Sequence, residues 1–377
     1  VTTSTNESES LTDRETGGAP PGARLRVLHV VESFASGVAQ AVADYVRSTP
    51  ELSHSLLVGD RGYSGAYDIF GNQNVDFVQL PKGRVAQLRA TRNAIRQLQP
   101  DVIHAHSSLG GAYARLVSRA RSKRRIVYTP HCYSFEREDL HWLAKKLAVV
   151  AEWVLARNTT VVAACSEREV GLANRLNAAR PALYVPNTLP PATAERNGGH
   201  TPEINTGLVV SGMGRISPQK GFEFFCSVAR ICQRRSIDAT FQWIGGELDS
   251  RTCDIAASSA VEVTGWMPNS RAVVALKKST VYLHTAGWEG FPIAILEANA
   301  NGVPVVARQI PALEGMPESY QRRTEVEIAE LVIATSKSYE SRRRNIQTWS
   351  DHLSENNPAI QRRRLLQAYG ETPMNDN

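Results

Sequence analysis

Leu208–Arg234 reads LVVSGMGRISPQKGFEFFCSVARICQR. A short β-branched run comes first, then a loop punctuated by Gly214 and Pro218, then apolar residues at helical spacing. This strand–loop–helix unit repeats outward in both directions. Downstream, strands are expected at Thr240–Ile244, Val261–Thr264, Val281–His284 and Val303–Ala307, with helices near Phe222–Arg234, Ser270–Lys277, Pro292–Ala300 and Val326–Ala334. Upstream, Pro190–Thr206 (PPATAERNGGHTPEINT) loses periodicity and collects Pro, Gly and polar residues, which marks a linker. Before it the alternation resumes, with strands at Arg26–Val31, Ser55–Val58, Val75–Leu80, Val102–His106, Ile126–Thr129, Thr160–Ala164 and Ala182–Val185. Strands this continuously apolar belong to parallel sheets covered on both faces. The expected fold is therefore α/β, with two Rossmann-like doubly wound domains facing across a cleft.

The chain has 377 residues, enough for two cores rather than one. The expected division is a leader at 1–22, a first domain at 23–189, a linker at 190–206 and a second domain at 207–350. A C-terminal helix and tail at 351–377 are expected to pack back toward the first domain. Residues 1–22 are rich in Ser, Thr, Gly and Pro with no apolar core, so a disordered leader is expected rather than a signal peptide. A hydrophobic share of 42% with 21% charged residues excludes a wholly disordered, coiled-coil or collagen-like chain. No stretch approaches the length of an apolar membrane span. Five cysteines without C-x-x-C spacing exclude a disulfide framework and a zinc site, and fit a reducing cytoplasm. The net charge of +6 suits an anionic ligand or lipid surface but is too small to indicate nucleic acid.

Two motifs carry chemistry. In the loop from Gly214 to Gly221, Arg215 and Lys220 stand five apart at the carboxyl end of a strand, with a helix behind them. Such a loop can neutralise a diphosphate, although a solvated basic loop has the same composition. It is not a Walker loop, because Gly221 follows Lys220. The second motif is WEGFPIAILEA, residues 288–298. Pro292 suits the first turn of a helix, which puts Glu289 in the entry loop and Glu297 inside the helix. The amides around Gly290, Phe291, Pro292, Ile293 and Ala294 then face the cleft and suit a phosphate. One carboxylate could accept from a hexose and the other from a ribose; alternatively, Glu289 complements the helix dipole and Glu297 is an ordinary ion-paired residue.

Together with SGVAQAVADYV, PDVIHAHSSLGGAYARL, YTPHCYSF and VVAACSEREV, these motifs resemble the retaining GT-B glycosyltransferases of family four, over roughly residues 25–310. Envelope-polysaccharide members from bacteria are the most similar. The resemblance implies that Arg215 and Lys220 hold the donor diphosphate, Glu289 contacts the transferred sugar and Glu297 holds the ribose hydroxyls. It also implies that Gly37 lets the first loop approach the donor and that His131 sits beside the sugar. The first loop has Ser36-Gly37 where the family often has two glycines, Pro186-Asn187-Thr188 replaces a common Asn-Gly, and RQIPALEGMPESYQ after Ala307 lacks the usual Pro-Glu segment.

His104 and His106 are expected to be structural, and Cys132 and Cys165 to be small buried residues. No Asp-x-Asp is present, so no metal is expected; Arg215 and Lys220 would take over the leaving-group role of a divalent ion. Leu140–Ala156 (LHWLAKKLAVVAEWVLA) is amphipathic and basic, beside a run of Arg119, Arg121, Lys123, Arg124 and Arg125. It is either a core helix with a solvated face or a surface helix on an anionic membrane. Arg342–Arg344 and Arg362–Arg364 are expected on exposed helix faces. The expected function is hexose transfer from a UDP- or GDP-sugar to a glycan or lipid-linked acceptor, in the cytoplasm or on the inner face of the cell membrane. A GT-B-type epimerase or phosphorylase, and a non-catalytic GT-B subunit, are the alternatives.

Overall fold

The computed structural model describes residues 24–59, 68–71, 73, 75–120, 124–189 and 207–371. The leader, the linker, Arg121 and Lys123 lie outside the described residues.

The first sheet is parallel, in the order β3-β2-β1-β4-β5-β6-β7. Its strands are β1 (Arg26–Val31), β2 (Ser53–Gly59), β3 (Asp76–Leu80), β4 (Val102–His106), β5 (Arg125–Thr129), β6 (Val161–Ala164) and β7 (Ala182–Tyr184). Helices α1 (Ser36–Ser48), α2 (Arg84–Leu98), α3 (Ser107–Val117), α4 (Trp142–Ala156) and α5 (Glu167–Leu176) connect them. The second sheet, also parallel, runs β10-β9-β8-β11-β12-β13. It contains β8 (Leu208–Met213), β9 (Ala239–Ile244), β10 (Val261–Val263), β11 (Val281–His284), β12 (Val305–Arg308) and β13 (Gln321–Arg322). Its helices are α6 (Phe222–Arg234), α7 (Ser250–Ser258), α8 (Asn269–Lys277), α9 (Ile293–Ala300) and α10 (Glu325–Ser336), followed by α11 (Tyr339–His352) and α12 (Pro358–Tyr369). In both sheets the strand order reverses beside the first strand, which puts a crevice at the carboxyl ends of the strands.

Each sheet is buried on both faces. Val30, Leu57, Ile103 and Tyr128 anchor one core of the first sheet, and Val210, Phe225, Trp243 and Leu283 one of the second. The terminal helix α12 places Leu365, Leu366 and Tyr369 against Val27, Val102 and Val127 of the first sheet. Asn357 caps it by accepting from the Ile360 amide, with Pro358 in its first turn, so α12 starts afresh after the break at residues 353–357 that ends α11.

Several sequence expectations shift. The 140–156 segment is not a core helix: Trp142, Leu143, Leu147, Val150, Trp153 and Val154 are all exposed. α4 reaches the interior through Glu152, which accepts from Arg115 at 2.9 Å and from the Tyr128 hydroxyl at 3.0 Å. Arg124 and Arg125 do not project as a basic surface, because they donate to the Pro100 and Ala368 carbonyls. Arg342 is buried and donates to the Ser336 carbonyl.

Candidate active site

The Gly214–Gly221 loop follows β8 and is tied to the loop after β11. The Gly287 amide donates to the Gln219 carbonyl at 2.9 Å, and Thr285 Oγ1 to the Lys220 carbonyl at 2.9 Å. Gly221 has a φ of 69°, and a Cβ there would lie 2.1 Å from the Thr285 oxygen, so only glycine fits. Helix α6 therefore begins at Phe222, after this turn, and Lys220 sits just ahead of it rather than opening it.

This fastening aims Lys220 across at the second motif. Lys220 Nζ lies 2.5 Å from Glu289 Oε1, with the lysine side chain 24% and the glutamate 10% exposed. Arg215, on the same loop, is exposed and makes no hydrogen bond or ion pair among the described residues. Pro292 is the residue before α9, so Ile293 and Ala294 head the helix, where no preceding carbonyl can accept their amides. Pro292 itself has no N–H to offer, and the Phe291 ring is buried against Cys165 and Ile295. Of the five residues expected to supply amides, Ile293 and Ala294 head the helix, Gly290 and Phe291 precede it, and Pro292 has none to give. Glu297 is buried on α9 and accepts from Asn269 Nδ2 at 3.3 Å. Burial raises its carboxyl to about 7, against smaller opposing effects of Asn269 and Lys220.

The first domain closes the other side. Gly290 packs on the turn after β5: a Cβ at 290 would lie 2.8 Å from the Cys132 nitrogen and 2.9 Å from the His131 carbonyl carbon. That turn is left-handed at two consecutive non-glycine residues, His131 (φ 51°) and Cys132 (φ 82°), an arrangement that costs energy and needs support. Glu169 supplies it by accepting from the Cys132 amide at 2.6 Å and the Cys165 amide at 3.0 Å. The sequence reading missed Glu169, though Ser166-x-x-Glu169 marks a helix start; Ser166 caps α5 while the Glu169 carboxylate turns to the cleft wall. Gly37, in the first turn of α1, is exposed, and the nearest atom a Cβ would meet is Ile293 Cδ1 at 3.9 Å. The first turns of α1 and α9 thus face one another across the cleft.

His131 is held by its Nε2, 3.1 Å from His106 Nδ1, and burial lowers its pKa to about 4. His104 and His106 are fully buried in β4. Burial pushes the Cys132 and Cys165 thiols upward, away from the thiolate a nucleophile needs.

Residues 207–339 match the family described as Glycosyl transferases group 1, and residues 36–188 match the Glycosyl transferase 4-like domain. The chain belongs to the group 1 glycosyltransferases. A 41.2 kDa protein of the cps region of Klebsiella pneumoniae is 23% identical over 302 residues, 77% of this chain and 82% of that protein. An Escherichia coli UDP-Gal:alpha-D-GlcNAc-diphosphoundecaprenol alpha-1,3-galactosyltransferase is 27% identical over 56% of this chain and 58% of its own. Among solved structures, Anabaena HepE in complex with UDP and glucose superposes with a TM-score of 0.70 at 15% identity, covering 92% of this chain and 100% of that one. A sucrose-phosphate synthase from Thermosynechococcus elongatus gives 0.71 at 15% identity, over 92% and 98%. The fold of this glycosyltransferase is GT-B.

Proposed function

We propose that the enzyme moves a hexose from a UDP- or GDP-sugar to a glycan or lipid-linked acceptor in envelope polysaccharide synthesis, with retention of anomeric configuration. The observation that carries this is the Lys220–Glu289 pair at the head of α9, facing the His131 turn across the cleft. An arriving diphosphate would draw Lys220 and Arg215 to itself, assisted by the Ile293 and Ala294 amides, and would free Glu289 for the hexose. Glu297 would take the ribose hydroxyls, and Gly37 would leave room for the donor beside the first loop. With this cationic set on the leaving group, the reaction would need no metal. The names of the HepE complex with UDP and glucose and of the E. coli galactosyltransferase support a nucleotide-sugar donor and a lipid-linked acceptor.

No helix of the described residues is long and apolar enough to cross a membrane. The exposed apolar face of α4, with Lys146 over the Trp142 ring at 4.8 Å and Arg157 over Trp153 at 3.5 Å, suits the surface of an anionic membrane. On this reading the enzyme works in the cytoplasm, peripherally on the inner face of the membrane that carries its acceptor.

The test is a thermal-shift screen of UDP, GDP and their sugars, followed by turnover of the stabilising donor and NMR of the product anomer. A ligand that binds the folded state raises its melting temperature. Failure of every nucleotide to stabilise the protein, with no donor hydrolysis, would instead favour a non-catalytic subunit.

A further inference from the structure

Behind the His131 turn, four histidines join end to end. His131 Nε2 lies 3.1 Å from His106 Nδ1, His106 Nε2 lies 3.0 Å from His29 Nδ1, and His29 Nε2 lies 3.1 Å from His54 Nδ1. At the far end His54 Nε2 meets the Thr49 carbonyl at 3.0 Å and Thr49 Oγ1 at 3.1 Å. His29, His54 and His106 are buried in adjacent strands of the first sheet, and burial holds all three below the ordinary histidine pKa, so they are neutral.

A neutral imidazole has one donor and one acceptor nitrogen, so pairing donors with acceptors assigns every proton along the chain. A carbonyl only accepts. Thr49 Oγ1 already donates to the Tyr45 carbonyl at 2.8 Å, so toward His54 it accepts as well. His54 must therefore carry its proton on Nε2 and present a bare Nδ1. His29 must donate to that nitrogen from Nε2, His106 to His29 from Nε2, and His131 to His106 from Nε2. His131 Nδ1 is then bare, and it has no partner among the described residues. His104 stands beside this chain, with its ring centroid 4.2 Å from that of His106, but its nitrogens go to Tyr369 and Thr129. The ring nitrogens of His29, His104 and His106 come within 4.8 Å of one another, yet all six already face hydrogen-bond partners.

We propose that these imidazoles form a tautomer relay: the Thr49 carbonyl, acting through His54, His29 and His106, holds His131 as its Nε2–H form and keeps Nδ1 bare to accept a hydrogen bond from a substrate hydroxyl. The catalytic consequence rests on the placing of His131 beside the donor sugar. A neutral acceptor there orients the sugar without setting a cation beside the carbon where positive charge develops. His54, His29 and His106 are positioning residues in this scheme, because none of them reaches the cleft except through His131.

Histidine side-chain 15N NMR of the full chain tests the relay, with His131 assigned by loss of its signals in His131→Gln. In the wild-type protein, Nδ1 of His131 should be pyridine-type and Nε2 pyrrole-type. In His54→Leu, His29 loses the acceptor for its Nε2 proton. Avoiding a buried unpaired donor moves that proton to Nδ1 and reverses the whole chain. The His131 pattern should invert, and kcat/KM for the stabilising nucleotide sugar should fall about tenfold, the worth of one hydrogen bond. Binding of free UDP or GDP should not change. His54→Asn, whose amide oxygen stands near the Nδ1 position, should restore the wild-type pattern. A protonated Nδ1 on wild-type His131 overturns the relay without any variant having to fold. An unchanged pattern in folded His54→Leu overturns it too. Inversion with unchanged turnover would support the relay and overturn instead the placing of His131 beside the sugar.

Discussion

Lys220 Nζ and Glu289 Oε1 stand 2.5 Å apart, so the residues proposed for the two ends of the donor's scissile bond are paired with each other. The pair is mostly shielded, and neither side chain can be removed without leaving its partner's charge poorly solvated. The two loops that carry it are joined by the Gly287 amide donating to the Gln219 carbonyl and by Thr285 Oγ1 donating to the Lys220 carbonyl, which fixes the geometry of the pair.

Lys220→Ala should therefore act twice. Loss of a charge-assisted contact to the leaving group should raise the barrier by about 2–4 kcal/mol. Loss of Glu289's partner should lower stability by about 1–3 kcal/mol, toward the low end because Lys220 is partly solvated. The double variant Lys220→Ala, Glu289→Gln should recover most of that stability and none of the activity. Denaturant melts and steady-state kinetics on the three proteins decide it. Unchanged kcat/KM in Lys220→Ala would remove the lysine from the reaction.

The α/β alternation and the strands were legible because each is a short, continuously apolar run with a helix-length gap after it. Arg26–Val31, Val102–His106 and Val281–His284 fall at their expected bounds. Helix α7 was not legible: Ser250–Ser258 is short and mostly exposed, with its start set by an Asp249–Thr252 capping box. β13 is two residues long and is defined only by its pairing with β12. Arg215, Lys220, Glu289 and Glu297 stand in two local motifs and could be singled out, whereas Glu169 braces a turn 37 residues before it and was missed. The histidine chain could not, because His29, His54 and His106 lie on three strands whose adjacency is a property of sheet order. The exposure of α4 was equally hidden, since periodicity reports an apolar face and not what covers it.

Glu169 braces the left-handed turn at His131 and Cys132, and its removal should leave one buried amide, at Cys165, and one half-buried amide, at Cys132, without acceptors. Glu169→Ala should cost about 2–4 kcal/mol, and Glu169→Gln, which keeps one acceptor oxygen, distinctly less. The turn that carries His131 should relax at the same time, so turnover should fall more than nucleotide binding does. Urea melts and UDP or GDP titrations read both effects. An Ala variant within about 0.5 kcal/mol of wild type would show that the turn does not depend on this carboxylate.

Gly290 meets the same turn from the second domain, and Gly290→Ala places a methyl against backbone atoms that cannot swing aside. The strain falls between domains, so the cleft should open rather than either core unfold. Scattering should show a larger radius of gyration, and donor KM should rise. An unchanged radius with unchanged kinetics would mean that the two walls do not need this contact.

The apolar face of α4 predicts partition to membranes. Purified protein should bind vesicles containing anionic lipid more tightly than neutral ones, and salt should weaken the difference. Replacing Trp142, Leu147 and Val150 by Ser should abolish binding with little loss of stability, because all three are already exposed. Equal binding to both vesicle types would remove the anionic surface from the proposal.

Glu297 carries a prediction in pH. Burial raises its carboxyl from about 4.5 to about 7 in the free protein, so between those values the unfolded chain ionises while the folded one stays protonated. The unfolded state then binds fewer protons, and stability falls as pH rises from about 4.5 to about 7. At 1.36 kcal/mol per unit, this amounts to about 3 kcal/mol at most. Asp44, also raised to about 7 by burial, adds a slope of the same sign, so the test is the difference between wild type and Glu297→Gln. The glutamine variant should have the shallower profile and be the more stable protein at pH 8. Ribose hydroxyls donate best to the ionised carboxylate, so wild-type affinity for UDP or GDP should rise through pH 7. The ratio of wild-type to variant affinity cancels the titration of the nucleotide's own phosphate. Because the ribose changes little during reaction, Glu297→Gln should raise KM and spare kcat, whereas Glu289→Gln should lower kcat while free nucleotide still binds. Loss of free-nucleotide binding in Glu289→Gln with full binding in Glu297→Gln would reverse the two roles.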